Sequence, residues 1–412
     1  MKVLVKNIGC LQTPVGSYSH KGSKQGVNMK YTDASVAIED GIIKEICEDG
    51  DLPANMPESD YDQVIDAEGK LVTPGLVDGH THLIFGGYRQ HEIAMKLAGA
   101  GYLDILRAGG GILDTVRKTR EATAMELFDK SAEFLDEMLT LGITTVEAKS
   151  GYGLDKANEI KELEVIKRLN DEHDMDVVAT FLGPHAVPPE YEGRGDDYID
   201  MTINDILPEV RERNLAEFCD IFCEDSVFNA AQSRKYLEAA KAMGFGLKIH
   251  ADEIEAIGGS ELGGELGAAS AEHLIAITES GQNALAAGGT TAMCLPATSF
   301  YLDKTFAPAK EMISKGIPVA IASDFNPGSC PSLNLQFCIN LGCLKYKMTP
   351  EEVLTAVTIN PACAINRGDR VGTIEPGKQA DMVIWNAPDF EMVCYRFGSN
   401  LAERVIKNGK LL

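Results

Sequence analysis

Short apolar runs alternate with amphipathic stretches through the middle of the chain. β-prone runs are expected at residues 75–82, 143–147, 177–182, 219–224, 247–250, 270–273, 290–295 and 319–323. Helical patterns lie between most of them. In 158–169, Ile160, Leu163, Ile166 and Leu169 recur three apart with charged residues between, and another helix is expected over 122–141. Strands that alternate with helices imply a parallel sheet, and eight such strands close a (β/α)8 TIM barrel.

The two ends read differently. Residues 3–7, 35–39, 42–47 and 63–66 are short β-prone runs separated by Gly, Asp and Pro. The far end repeats this character at 382–385, 391–394 and 404–407, followed by the turn dipeptide Asn408-Gly409. The expected architecture is α/β. A barrel over 73–365 carries a small β-sandwich-like domain formed by the N-terminal segment 1–72 and the C-terminal segment 366–412.

Composition changes this picture little. The 412 residues exceed the roughly 150 residues of an average domain, but a barrel commonly runs to about 250 or more as one unit. Lys and Arg number 38 against 62 Asp and Glu, a formal charge of −24. That balance argues against nucleic acid or an anionic membrane as partner, since both need a basic face. The opening MKVLVKNIGCLQTPVG is too short an apolar run for a secretion signal. No stretch approaches the ~18 apolar residues of a membrane span. The ten cysteines are scattered, and Cys219 and Cys223 have the wrong spacing for a zinc knuckle or a redox motif. Buried free thiols in a reducing cytoplasm are expected.

Candidate chemistry concentrates on the eight histidines. Side chains two apart on a strand share a face, so His80-Thr81-His82 can aim two imidazoles at one ion. His250 ends the expected fifth strand, His273 the sixth, and Asp324 follows the eighth. These are the C-terminal strand ends where barrel enzymes gather their reacting groups. Any one of these histidines is as readily a satisfied core residue. The set, on strands one, five, six and eight, reads as a metal centre. Histidine nitrogens with a carboxylate suit zinc or iron better than magnesium or calcium.

The motifs LVTPGLVDGHTHL (71–83), KIHADE (248–253), AEHL (271–274) and ASDFNPG (322–328) resemble the metal motifs of the amidohydrolase superfamily, and GTIEPGKQADMVIW (372–385) resembles its returning C-terminal β segment. A second group narrows the likeness: HLIFGGYRQHE (82–92), AGGGI (108–112), KSGYGL (149–154), FLGPHAVPPE (181–190) and SDFNPGS (323–329) together resemble the imidazolonepropionase family. That family opens 4-imidazolone-5-propanoate to N-formimino-L-glutamate in histidine degradation. The resemblance implies one zinc or iron ion per subunit, held by His80, His82, His250 and Asp324. It implies Arg89, Tyr152, His185 and Glu253 as substrate contacts, with Asn326, Gly328 and Ser329 at the product end of the ligand. It also implies a homodimer.

The chemistry expected of these residues is hydrolysis of a cyclic amide. Asp324, His273 and Glu253 are the candidates for moving protons, and Arg89 is a fork for the substrate's propionate. Other readings are a mononuclear deaminase of a nucleobase-like ring, a hydantoinase-like cyclic amidase, and a scaffold relative without activity. A neutral nucleobase has no use for an Arg fork, and a scaffold is expected to lose ligands that are all present here. A two-metal centre is expected to carry a lysine on strand four. That strand reads CDIFCED, with Lys149 placed after strand two.

Overall fold

The computed structural model describes residues 1–53, 57–99 and 109–412. Its central element is a parallel sheet. The barrel strands are, in order, Leu76–Thr81, Ile143–Lys149, Asp176–Phe181, the pair Phe218–Cys219 and Phe222–Cys223, Gly246–Ala251, Ser270–His273, Thr291–Cys294 and Val319–Ile321. Each pairs with its neighbour in chain order, as successive strand–helix units require. The eighth strand meets the first just past its end. There the Asp324 N–H donates to the His80 carbonyl at 3.1 Å and the His82 N–H to the Phe325 carbonyl at 2.9 Å.

Alternation along these strands explains the core. Val146, Ala148, Cys219, Ile221, Leu247, Ile249 and Ala271 face the helices in the main apolar cluster. Residues of the other parity point into the barrel. Its floor is apolar, with Val77, Val178 and Phe218 packed against Ala362, Ile365 and Val371. Above the floor lies a charged layer of Glu147, Lys149, Asp220, Lys248 and Glu272, all fully buried. Lys248 Nζ sits 5.3 Å from the centre of the Phe218 ring, which places that layer directly on the floor. The histidines come next, at the mouth.

The terminal strands form one mixed sheet of eight, which includes Lys2–Thr13, Leu71–Pro74 and Met382–Trp385. Leu71–Pro74 belongs to this sheet and Leu76–Thr81 to the barrel. The chain changes sheets at Gly75, where a Cβ would lie 2.2 Å from Thr144 Oγ1. The hairpin Ala402–Lys407 to Lys410–Leu411 turns on Asn408 and Gly409, both at positive φ.

Four sequence expectations shift. Residues 391–394, expected as strand, lie in the helix Phe390–Tyr395, because Asp389 caps it by accepting from the Met392 N–H at 2.9 Å. The helix expected from 122 starts at Ala124 behind a Thr123–Glu126 capping box. The eighth strand stops at Ile321: the Ser323 N–H turns to the Asp78 carboxylate at 3.0 Å instead of a strand partner. Lys149 is the last residue of the second strand, not a residue after it. Ala108, the first residue of the AGGGI motif, lies outside the described residues. Among the described residues no helix is long and apolar enough to cross a membrane.

Candidate metal centre

A register shift between Asp78 and Thr81 re-aims the end of the first strand. Val77 points into the floor, and after the shift His80 and His82 both point into the mouth. The fifth strand adds His250, and one nitrogen from each of the three imidazoles lies within 4.8 Å of the others. Asp324 lies beside the group, on the turn after strand eight, at φ +55°. Its Oδ1 is 3.4 Å from both His80 Nε2 and His82 Nε2, and Thr298 Oγ1 donates to its Oδ2 at 2.5 Å.

Two observations show that these residues fit a metal ion. His80 Nε2 and Asp324 Oδ1 are buried, face each other and have no hydrogen-bond partner among the described residues. Buried polar atoms are rarely left so without reason. The imidazoles also carry the lone pairs a cation needs. Burial first, then Lys149, holds His80 far below the usual histidine range, and burial with His185 does the same to His82. For His250, burial opposes the charged form but Asp220 outweighs it, and the group sits above its ordinary value. Its Nδ1 is 3.1 Å from Asp220 Oδ1, which leaves Nε2 for the centre. Burial pushes the Asp324 carboxyl up to about 6 against the pull of the Thr298 hydroxyl. A nearby cation would draw it back down.

This sets a pH dependence. His250 and Asp324 both hold protons more tightly than usual, and a group that serves as a ligand must lose its proton before an ion binds. Chelator competition is expected to show flat affinity on the alkaline side. Below about pH 6 the affinity should fall by at least tenfold per pH unit. An affinity indifferent to acid would contradict this ligand set.

The other residues singled out in the sequence surround the centre. His185 stacks on His82 with ring centres 4.9 Å apart, and its Nδ1 is held 3.0 Å from the Gly151 carbonyl. The Tyr152 ring lies 5.3 Å from His185 and 6.0 Å from His82. His273, at φ +69°, turns inward from the end of strand six. Its ring lies 5.4 Å from that of His250, and its Nε2 is 3.5 Å from Glu253 Oε2. Burial pushes the Glu253 carboxyl up to about 7, with Asp324 adding to the effect, while burial holds His273 neutral.

Arg89 follows strand one on a loop pressed against the helix Ile112–Glu121. Gly86 permits this, because a Cβ there would lie 2.2 Å from the Lys118 carbonyl oxygen. The Arg89 guanidinium packs onto Gly328 so closely that a Cβ at that glycine would sit 1.0 Å from Nη2. Asn326 spends its amide inside the same turn. Its Oδ1 accepts from the Gly328 and Ser329 N–H groups at 2.9 and 2.7 Å, and its Nδ2 donates to the Asp324 carbonyl at 2.8 Å. The remaining histidines stand apart: His20 bonds the Val15 carbonyl, His173 closes a helix end, and His91 is half exposed.

Several residues of the site were missed in the sequence. Asp220, Glu147, Lys149, Lys248 and Glu272 form the charged layer beneath the imidazoles. Glu224 fixes the loop around Glu253 by accepting from the Ile254 and Glu255 N–H groups at 2.9 and 3.0 Å. The available signal was charge at inward parity, as in Glu147-Ala148-Lys149 and Lys248-Ile249-His250.

A parallel barrel with a histidine group for a metal ion at its C-terminal mouth defines a metal-dependent barrel hydrolase. The chain belongs to the amidohydrolase family, whose profile matches residues 71–412, and within it to the imidazolonepropionases. The imidazolonepropionase of Alkaliphilus metalliredigens is 50% identical over 100% of this chain and 97% of its own length. That of Fusobacterium nucleatum is 54% identical over 85% of this chain and 84% of its own. In fold, the chain is similar to E. coli guanine deaminase, with a TM-score of 0.74 at 16% identity, covering 100% of this chain and 99% of that one.

Proposed function

We propose that the chain hydrolyses the cyclic amide C–N bond of 4-imidazolone-5-propanoate to N-formimino-L-glutamate, a step of histidine degradation in the cytoplasm. The reading includes one zinc or iron ion per subunit, held by His80, His82, His250 and Asp324, and a homodimer, which the mass in solution tests. When bound, such an ion supplies Lewis acidity that makes water a nucleophile near neutral pH.

The protein's own groups do the rest. Asp324 takes a proton from the attacking water as oxygen adds to the ring carbonyl, and passes it to the nitrogen that leaves. His273 is neutral and turned inward. It donates its one N–H to the carbonyl oxygen as charge develops there, with the Glu253 carboxyl beside it, 3.5 Å from Nε2. Tyr152 and His185 pack beside the ring, and Asn326 shapes the turn that presents Gly328 and Ser329.

The observation that carries the choice of substrate is Arg89. Its guanidinium lies at the mouth, close enough to influence Tyr152 and His185 after burial has had its larger effect on each. Its Nε is buried with no hydrogen-bond partner among the described residues. A carboxylate-bearing ligand supplies that partner. Arg89→Met is expected to weaken kcat/KM by about 2–5 kcal/mol for the natural substrate and far less for an analogue without the carboxylate. Equal losses on both would contradict the reading.

A further inference from the structure

We infer that Lys149 is a positioning residue for the metal centre, acting through Asp220 on His250. The inference rests on the reading that His80, His82 and His250 hold a metal ion. Lys149 comes from strand two and is fully buried. Its Nζ lies 2.9 Å from Asp220 Oδ2 and 2.8 Å from Glu147 Oε1. His250 Nδ1 lies 3.1 Å from both oxygens of Asp220, and Oδ1 also accepts from the Ile221 N–H at 2.8 Å. One fully buried carboxylate therefore faces both an ammonium and an imidazole, and the backbone N–H of the next residue anchors it. So clamped, Asp220 holds the proton of His250 on Nδ1 and turns Nε2 to the cluster, where it lies 3.4 Å from His82 Nε2.

The barrel contains its own control. Lys248 is equally buried and stands behind another imidazole, that of His80, through Glu272. Here the linkage is loose. Lys248 Nζ is 3.7 Å from Glu272 Oε1 and reaches it through Ser270, at 3.0 and 2.6 Å, while Glu272 Oε1 is 3.8 Å from His80 Nδ1. A separation of that length is not a hydrogen bond. The two lysines share burial and charge but differ in their grip on a ligand.

The test is zinc affinity by competition with a chromogenic chelator, on protein first shown to be folded by circular dichroism. Lys149→Met is expected to weaken zinc binding by about 10–100-fold, the range for losing an outer partner of a metal ligand. Lys248→Met should change it by less than about threefold, since no hydrogen bond to His80 is lost. Asp220→Asn leaves Lys149 paired with Glu147 and carries the test if Lys149→Met does not fold. It should weaken zinc by about tenfold or more and shift the visible spectrum of the cobalt-loaded protein. Wild-type affinity in Lys149→Met or Asp220→Asn would overturn the inference, as would equal losses in the two lysine variants. A wild-type protein that takes up no zinc would overturn the metal reading itself.

Discussion

Asp324→Asn is expected to lower kcat of the metal-loaded enzyme by about 10²–10⁴-fold, the usual worth of a general base, while KM changes little. Asparagine keeps the shape and a neutral oxygen beside His80 and His82, both 3.4 Å from Asp324 Oδ1. It can also keep the contact with Thr298. What it cannot do is accept a proton. An interaction needed only in the transition state appears in kcat, not in binding. The check is kcat, KM and metal content measured together. Should Asp324→Asn keep its metal and turn over within about tenfold of wild type, well inside the general-base range, the base would have to be Glu253. That carboxyl is pushed up to about 7 by burial and, less strongly, by Asp324.

His80→Ala is expected to remove metal and activity together. Loss of an outer partner costs about 10–100-fold in metal affinity, and loss of a ligand atom should exceed that. His80 is fully buried at the centre of the group, with His250 and His82 ring centres 4.7 and 5.3 Å away. The cavity left by alanine offers no replacement donor. Elemental analysis with a turnover assay decides the matter: full metal and full turnover would remove His80 from the centre.

The barrel was legible in the sequence because its strands are buried on both faces and read as short apolar runs between amphipathic helices. The imidazoles were legible because histidine is rare in this chain and falls at strand ends. Other features depend on interactions that no local pattern encodes. The register shift after Asp78 follows from pairing with strand two. It is also why Val77 and His80, at opposite parity, both face inward. Residues 391–394 have a β-prone composition, but burying Phe390 and Val393 on one face with Asp389 as cap favours a helix.

Lys149 is the most instructive miss. Read linearly, it follows a strand and looks like a loop lysine. Folded, it closes the second strand and meets a carboxylate from the fourth, 71 positions away, at 2.9 Å. Burying a lone charge costs several kcal/mol, so a lysine at inward parity implies a carboxylate partner across the barrel. The partner's identity requires the strand order, which the eight-fold alternation supplies only once closure is assumed.

The reaction is tested by mixing zinc- or iron-loaded protein with freshly prepared 4-imidazolone-5-propanoate while following the ring's ultraviolet absorbance. Loss of the absorbance with stoichiometric N-formimino-L-glutamate is expected, and no catalysed loss in metal-stripped protein. An absorbance that decays at the uncatalysed rate with metal bound would contradict this activity.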